Sequence, residues 1–82
     1  MNGAFEQIQS IASDIFGVPR AQIVAESSPE TIGSWDSTQH LTFILALEEA
    51  FGFQLSPEEI EQARNIGKVT RIVQGKLQGA GR

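Results

Sequence analysis

A carboxylate and a hydroxyl stand side by side at Asp36-Ser37, at the predicted start of a helix. Such residues most often cap a helix, because a side-chain oxygen there accepts a hydrogen bond from a free backbone N–H. Asp36 alone suffices for that task, with Gln39 at the spacing of a capping-box partner. The hydroxyl of Ser37 is then free to carry a phosphate ester, which the positive end of the helix dipole stabilises by about 0.3–1 kcal/mol. Capping and phosphate attachment are both open for Ser37 at this point.

A hydrolytic role for Ser37 is less consistent with the sequence. Its surroundings, Gly33-Ser-Trp-Asp-Ser37, do not form the G-x-S-x-G turn that exposes a nucleophilic serine at the head of a sheet. The single histidine, His40, lies about one turn along the same helix, and a triad also needs a buried carboxylate that so thin a domain can hardly house. We therefore expect no enzymatic activity, and we expect the His40 ring to pack against the preceding loop.

The composition excludes several classes of function. The chain has 82 residues, no Cys and one His, which excludes disulfides and thiolate metal sites and makes a zinc cluster implausible. We expect no tightly bound metal. Ten acidic residues against six basic ones give a net charge of −4, opposite to the charge that nucleic-acid binding needs. No run is long enough to span a membrane, and the N-terminus lacks the pattern of a signal peptide. We expect a cytoplasmic monomer without membrane insertion, recognised by larger and more basic partners.

The first helix is predicted over residues 4–16, where apolar residues recur every three or four positions. Gly17 ends it, since glycine takes the left-handed conformation without steric cost, and Pro19 prevents the helix from resuming. A single turn follows, anchored to the core by Ile23, with Val24 as a second candidate anchor.

A long polar loop over residues 25–36 leads directly to Ser37. Long loops are uncommon inside small domains and tend to be functional. Ile32 and Trp35 are the apolar residues expected to hold this loop against the rest of the molecule, close to Ser37.

Three further helices are predicted after the loop. The first covers residues 37–51 and ends at Gly52. A short helix begins at Ser56, with Pro57 at its first position and Glu59 completing a capping box.

The last helix is capped by Asn65, and the tail at 78–82 is expected to be frayed. The fold class is therefore all-α: a single domain over residues 1–82, with an ordered core at about 4–77. Three longer helices and one short helix form a small four-helix bundle, with the long loop between the first and second helices.

Hydrophobic periodicity assigns each helix an inner and an outer face. The residues expected in the core are Phe5, Ile8, Ile11, Ile15, Leu41, Ile44, Leu47, Phe51, Ile60, Val69, Ile72 and Val73. Further residues expected on inner faces are Phe43, Leu45, Ala63 and Leu77. The outer face of the helix at 37–51 carries Gln39, Thr42, Glu48 and Glu49.

A family resemblance emerges around the serine. The run Gly33-Ser-Trp-Asp-Ser-Thr-Gln-His-Leu-Thr-Phe-Ile-Leu-Ala-Leu-Glu-Glu-Ala-Phe51 resembles the attachment-site region of acyl carrier proteins. The following Gly52-Phe-Gln-Leu-Ser-Pro-Glu-Glu-Ile60 is similar to that family's passage into its short third helix. The similarity of pattern extends over roughly residues 5–77.

The resemblance implies that Ser37 carries phosphopantetheine, moved from coenzyme A by a phosphopantetheinyl transferase with Mg²⁺. The thiol of this covalent arm would hold an acyl or aminoacyl thioester, so that a chain without Cys takes part in thioester chemistry. Recognition by the transferase and by acyl-loading or acyl-transferring enzymes with basic docking surfaces would involve Asp36, Thr38, Gln39, Glu48 and Glu49. Exposed charges are common on any helix, so Glu48 and Glu49 could also form an ordinary solvated face.

The sequence departs from the family pattern around Ser37. Thr38 stands where members usually have a bulky apolar residue, Gln39 and Thr42 are neutral where fatty-acid-synthesis carriers tend to be acidic, and Trp35 is bulkier than usual. These departures indicate a specialised carrier for a dedicated pathway. They also support an alternative, an unmodified acidic helical module that binds partners. A helix-turn-helix DNA-binding role fits the helices but not the charge.

Overall fold

Four α-helices follow one another in the computed structural model, which describes residues 3–80. The helices are α1 (Gly3–Phe16), α2 (Ser37–Phe51), α3 (Pro57–Gln62) and α4 (Ile66–Ala80). A single 3₁₀ turn, Arg20–Gln22, lies in the long connection between α1 and α2. Residues 3–80 contain no strand, and the prediction of an all-α bundle of three longer helices and one short helix is confirmed.

The helix ends form where the sequence places their signals. Gly17 and Gly52 both adopt a left-handed backbone, with φ of 69° and 76°, and the N–H of each donates back to the last turn of its helix. Ser56 and Glu59 form the reciprocal capping box that starts α3. The Asn65 side chain accepts a hydrogen bond from the backbone N–H of Lys68 at 2.7 Å, as expected of a cap on α4.

The core lies between α1, α2 and α4 and is closed by residues of the loop and of α3. Its buried apolar residues are Ile8, Ala12, Phe16, Ile23, Ile32, Trp35, Phe43, Ile44, Leu47, Leu55, Ala63, Ile66, Val69 and Val73. Six other residues predicted for the core are only partly buried and pack against this cluster: Phe5, Ile11, Ile15, Phe51, Ile60 and Ile72.

Four apolar residues are more exposed than the sequence suggests. Leu41 and Leu45 of α2 are 55% and 64% exposed, and the prediction that they face the core was wrong. At about 100° per residue, Leu45 is rotated roughly 160° from the buried Leu47, so one helix cannot bury both. Val24 and Leu77 are also exposed, which leaves Ile23 as the anchor after the 3₁₀ turn.

The polar loop over residues 25–36 is held at both of its ends. Near its start, the carbonyls of Ala25 and Ser27 accept the backbone N–H groups of Gly67 and Ile66 at 2.8 and 3.0 Å. Because the first N–H groups of a helix have no partner within the helix, these carbonyls also complete the start of α4. Near its end, the Ser34 hydroxyl donates to the Phe16 carbonyl at 2.6 Å.

The tail over 78–82 is described only in part, and its fraying stays a prediction. The helix continues through residues 78–80 and ends at Ala80, while residues 81–82 lie outside the described part of the chain. A glycine costs a helix only about 1 kcal/mol relative to alanine, so residue 79 does not by itself stop α4.

Candidate functional site

Ser37 is the first residue of α2, and its side chain is exposed. Asp36, the residue before it, adopts an extended backbone and accepts the N–H of Gln39 on its Oδ1 at 2.9 Å. The helix start is therefore capped by Asp36. Among the described residues the Ser37 hydroxyl has no hydrogen-bond partner, so it is available to react.

The side chain of Gln39 does not complete a capping box, although its spacing fits one. Its Nε2 instead donates to the carbonyl of Ile15 at 3.0 Å. This bond joins the first turn of α2 to the last turn of α1, where backbone carbonyls lack partners within the helix. The amide thus helps to hold the start of α2 against the end of α1.

His40 connects the loop, α2 and α3 beside Ser37. The Trp35 indole N–H donates to Nδ1 of His40 at 2.9 Å, and Nε2 of His40 lies 3.0 Å from the Ile60 carbonyl. Since Nδ1 accepts from the indole, the proton of the neutral ring belongs on Nε2, which donates to Ile60. The two rings stack with centroids 6.0 Å apart, so His40 packs against the loop as predicted.

A groove of about 530 Å³ opens beside Ser37, between the start of α2 and the end of α3. Its size falls within the range of small-molecule sites, about 300–1,000 Å³. Its lining combines apolar and charged side chains: Pro29, Trp35, Asp36, Ser37, His40, Leu41, Ile60, Glu61 and Arg64. No sequence pattern indicates Pro29, Glu61 or Arg64 as site residues, since only the folded chain brings them together.

The residues predicted for partner recognition divide into free and bonded side chains. Thr38 and Glu49 are exposed on α2. Glu48 is half-buried, and its Oε2 accepts the backbone N–H of Leu55 at 2.8 Å, so its carboxylate holds the connection to α3. Ile32 and Trp35 are buried and anchor the loop, as predicted.

One carboxylate of α3 has a perturbed pKa. Glu59 accepts from the Lys76 ammonium at 2.8 Å and from the backbone N–H of Ser56, and these two bonds hold its pKa below the ordinary value of 4.5. Glu59 thereby links α3 to α4. Within residues 3–80 no three His, Asp or Glu side chains are grouped to hold a metal ion, and no helix is long and apolar enough to cross a bilayer.

Comparison with known proteins identifies the family. A family model described as a phosphopantetheine attachment site matches residues 6–73, which is most of the chain. The acyl carrier protein of Helicobacter acinonychis (strain Sheeba) is 32% identical over 71 residues, covering 85% of this chain and 90% of that protein. The chain belongs to the acyl carrier protein family. The acyl carrier protein of Helicobacter pylori (strain G27) shows the same identity and coverage.

A solved acyl carrier protein has the same fold. The solution NMR structure of a holo acyl carrier protein from Nitrosomonas europaea superimposes with a TM-score of 0.78 at 28% identity, covering 90% of this chain and 95% of that one. As an acyl carrier protein, the chain carries acyl groups on a covalent phosphopantetheine and is not an enzyme. Its partners are a phosphopantetheinyl transferase and acyl-handling enzymes, as for the family in general.

Proposed function

We propose that Ser37 is the attachment residue of this carrier. The observation that supports it is the division of roles at the start of α2: Asp36 caps the helix, and the Ser37 hydroxyl is exposed and unbonded within residues 3–80. A phosphodiester on this oxygen would lie at the positive end of the α2 dipole, which favours an anion.

The attachment is a phosphoryl-group transfer to Ser37. The Ser37 oxygen forms a bond to the phosphorus that bears pantetheine in coenzyme A, and the bond from that phosphorus to the adenosine bisphosphate breaks. The hydroxyl proton passes to a base on the transferase. When bound, the arm supplies a terminal thiol that holds the acyl group as a thioester.

The surroundings of Ser37 fit such an arm. Ser37 lines the groove together with apolar residues such as Leu41 and Ile60, and the open side of the groove leaves room for the arm to swing to a partner. Because a short flexible tether keeps its cargo at roughly millimolar effective concentration near a docked enzyme, the carrier needs only a modest affinity for each partner.

We propose that partners bind the exposed side of α2. The contacts described above determine which of its side chains are free to meet a partner. Ser37, Leu41, Leu45 and Glu49 follow one another at four-residue spacing and form a single ridge, of which the two leucines are exposed. Thr38 lies beside this ridge. The carboxylate of Glu48 and the amide of Gln39 are engaged within the protein, and Asp36 caps α2. Glu49 is therefore the acidic group of this side that makes no such bond, while Asp36 adds its negative charge from the helix start.

The proposal extends to the pathway and the oligomeric state of the carrier. Trp35, Thr38, Gln39 and Thr42 depart from the usual family pattern, which supports a carrier dedicated to one specialised pathway. We also propose that the chain acts as a single monomeric domain. A cytoplasmic location stays a prediction from composition.

Intact-mass spectrometry tests the attachment residue. The chain is co-expressed with a broad-specificity transferase, and we expect one phosphopantetheine on the wild type and none on Ser37→Ala. Ser34→Ala is the matched control, because Ser34 lies in the same loop but its hydroxyl already donates to Phe16. An unmodified wild type would favour the interaction-module alternative, and a modified Ser37→Ala would place the arm elsewhere.

A further inference from the structure

The groove beside Ser37 is separated from the core by three residues, which we call the groove wall: Trp35, His40 and Ile60. Each of them lines the groove. Trp35 also belongs to the buried core, and Ile60 packs against it. Two hydrogen bonds, from the indole to His40 and from His40 to the Ile60 carbonyl, join the wall into one unit.

The groove wall is anchored firmly on its inner side. The Trp35 ring is 2% exposed, stacks on Phe16 with centroids 4.9 Å apart, and meets the edge of Phe43 at 5.7 Å. The His40–Ile60 bond is the one hydrogen bond between α2 and α3 within residues 3–80. Any group that passes from Ser37 into the core at this end must therefore displace a buried aromatic ring and part α2 from α3.

Displacing the wall carries a specific penalty. A buried indole N–H without an acceptor is costly, because it gives up water without gaining a partner. The stacking of Trp35 with Phe16 and Phe43 would be lost as well. An apolar chain gains burial in return, yet the groove offers burial without breaking any of these contacts, since Leu41 and Ile60 already face it.

We propose that the groove wall keeps the carried acyl chain out of the core, so that an aliphatic chain on this carrier lies along the outer groove over Leu41 and Ile60. The inference rests on Ser37 being the attachment residue. Trp35 and His40 act as positioning residues: they determine where the cargo rests and leave its thioester accessible to a docked enzyme.

The test compares two cargoes by NMR. The chain is loaded with acetyl- or octanoyl-phosphopantetheine from the matching coenzyme A thioester, and loading is verified by intact mass. We expect the octanoyl chain to shift the methyl signals of Leu41 and Ile60 and to leave those of Leu47 and Val69, which are buried away from the groove, unchanged. The indole N–H of Trp35, the single tryptophan, should stay equally protected from exchange in both forms.

A variant of the wall provides the second measurement. His40→Ala removes both hydrogen bonds, and in its octanoyl form we expect shifts at Leu47 and Val69 and faster exchange of the indole N–H. His40→Leu, which fills a similar volume without either hydrogen bond, serves the same purpose if the alanine variant does not fold. Thr42→Ala is the matched control on the same helix and should behave as the wild type.

The outcomes separate this inference from the proposal on which it rests. Absence of any mass increment contradicts Ser37 as the attachment residue. Normal loading with octanoyl-dependent shifts at Leu47 and Val69 in the wild type, or loss of indole protection there, contradicts the role of the wall alone. Unchanged core signals in the octanoyl form of the wall variant also contradict it.

Discussion

At the scale of single residues, the site depends on two adjacent residues with different roles. Asp36 satisfies the backbone at the start of α2 through its bond to the N–H of Gln39, and Ser37 keeps its hydroxyl for chemistry. If the serine had to cap the helix, an ester formed on its oxygen would disturb the bond that caps it. Separating the two tasks allows the modification to leave the fold unchanged.

Substitution of Asp36 should separate its capping role from recognition. Asp36→Ala removes the cap and should lower the free energy of unfolding by about 1 kcal/mol, whereas Asp36→Asn can still accept the bond and should lower it by a few tenths at most. Urea unfolding measures both changes. If the carboxylate charge also faces the transferase, Asp36→Asn should be modified more slowly than wild type in a timed mass assay.

Each of the two roles of Asp36 has an outcome that would contradict it. Equal unfolding midpoints for Asp36→Ala and wild type would show that another group caps α2. Equal modification rates for Asp36→Asn and wild type would remove the charge of Asp36 from recognition.

The sequence predicts some of these residue roles and not others. Capping by Asp36 and ring packing by His40 follow from local spacing, and the structure has both. The bonds of Gln39 to α1 and of Glu48 to Leu55 depend on where another element lies, so spacing on α2 alone does not reveal them. Leu41 shows the same limit, since an apolar residue at helical spacing can face a groove as well as a core.

At the scale of elements, α3 shows how six residues can hold a fixed position. So short a helix is not stable by itself, because nucleation is costly and few hydrogen bonds follow. The capping box fixes its start, and His40 and Lys76 bind it to α2 and α4. Its orientation is therefore set by three polar contacts more than by its own length.

The ion pair between Glu59 and Lys76 gives α3 a dependence on pH. Because the pKa of Glu59 in the folded chain lies below its ordinary value of 4.5, the ionised carboxylate stabilises the fold above that pH. The contribution is lost as the pH falls through the folded pKa. Glu59→Gln should lower the free energy of unfolding by roughly 0.2–1 kcal/mol at pH 7, and the difference from wild type should vanish in acid.

Urea unfolding at several pH values measures this loss. Glu58→Gln, an exposed change one residue earlier in α3, is the matched control and should show no such dependence. A Glu59→Gln difference that stays constant from pH 7 into acid would show that the carboxylate charge contributes nothing.

Substitution by alanine should change the stability in opposite directions at two glycines, one at the end of α2 and one within α4. Gly52 ends α2 with a φ of 76°, where a Cβ is strained, so Gly52→Ala should destabilise by about 1–2 kcal/mol. Gly75 lies inside α4 with open space around the position of a Cβ, so Gly75→Ala should stabilise by about 0.4–1 kcal/mol. Thermal unfolding measures both; shifts of the same sign would contradict the assigned backbone at one of them.

At the scale of the whole molecule, the bundle is the part that the sequence predicts best. Helix bounds follow from glycine stops and polar caps, which are local signals, and periodicity finds the buried Ile8, Ile44 and Val73. The burial of each remaining residue depends on the angles between helices. Trp35 and Ile32 complete the core from a loop that has no period of its own, so their apolar character, and not their spacing, marks them as anchors.

Two apolar residues of α2, one buried and one exposed, test the orientation of this helix. Ile44→Ala opens a cavity in the core and should lower the free energy of unfolding by about 2–5 kcal/mol, a large share of the total for so small a domain. Leu41→Ala, at an exposed position, should change it by no more than about 0.5 kcal/mol. Comparable losses for the two in urea unfolding would mean that α2 is rotated from its described orientation.

The carbonyls of Ala25 and Ser27, which receive the first amides of α4, couple distant parts of the chain. Because these bonds protect both amides, the amide hydrogens of Ile66 and Gly67 exchange for deuterium faster when the segment before Ser37 lifts away from the bundle. These two amides therefore act as built-in reporters of that segment. Their exchange rates, followed while an enzyme is bound near the serine, would register whether docking loosens or tightens the approach to it.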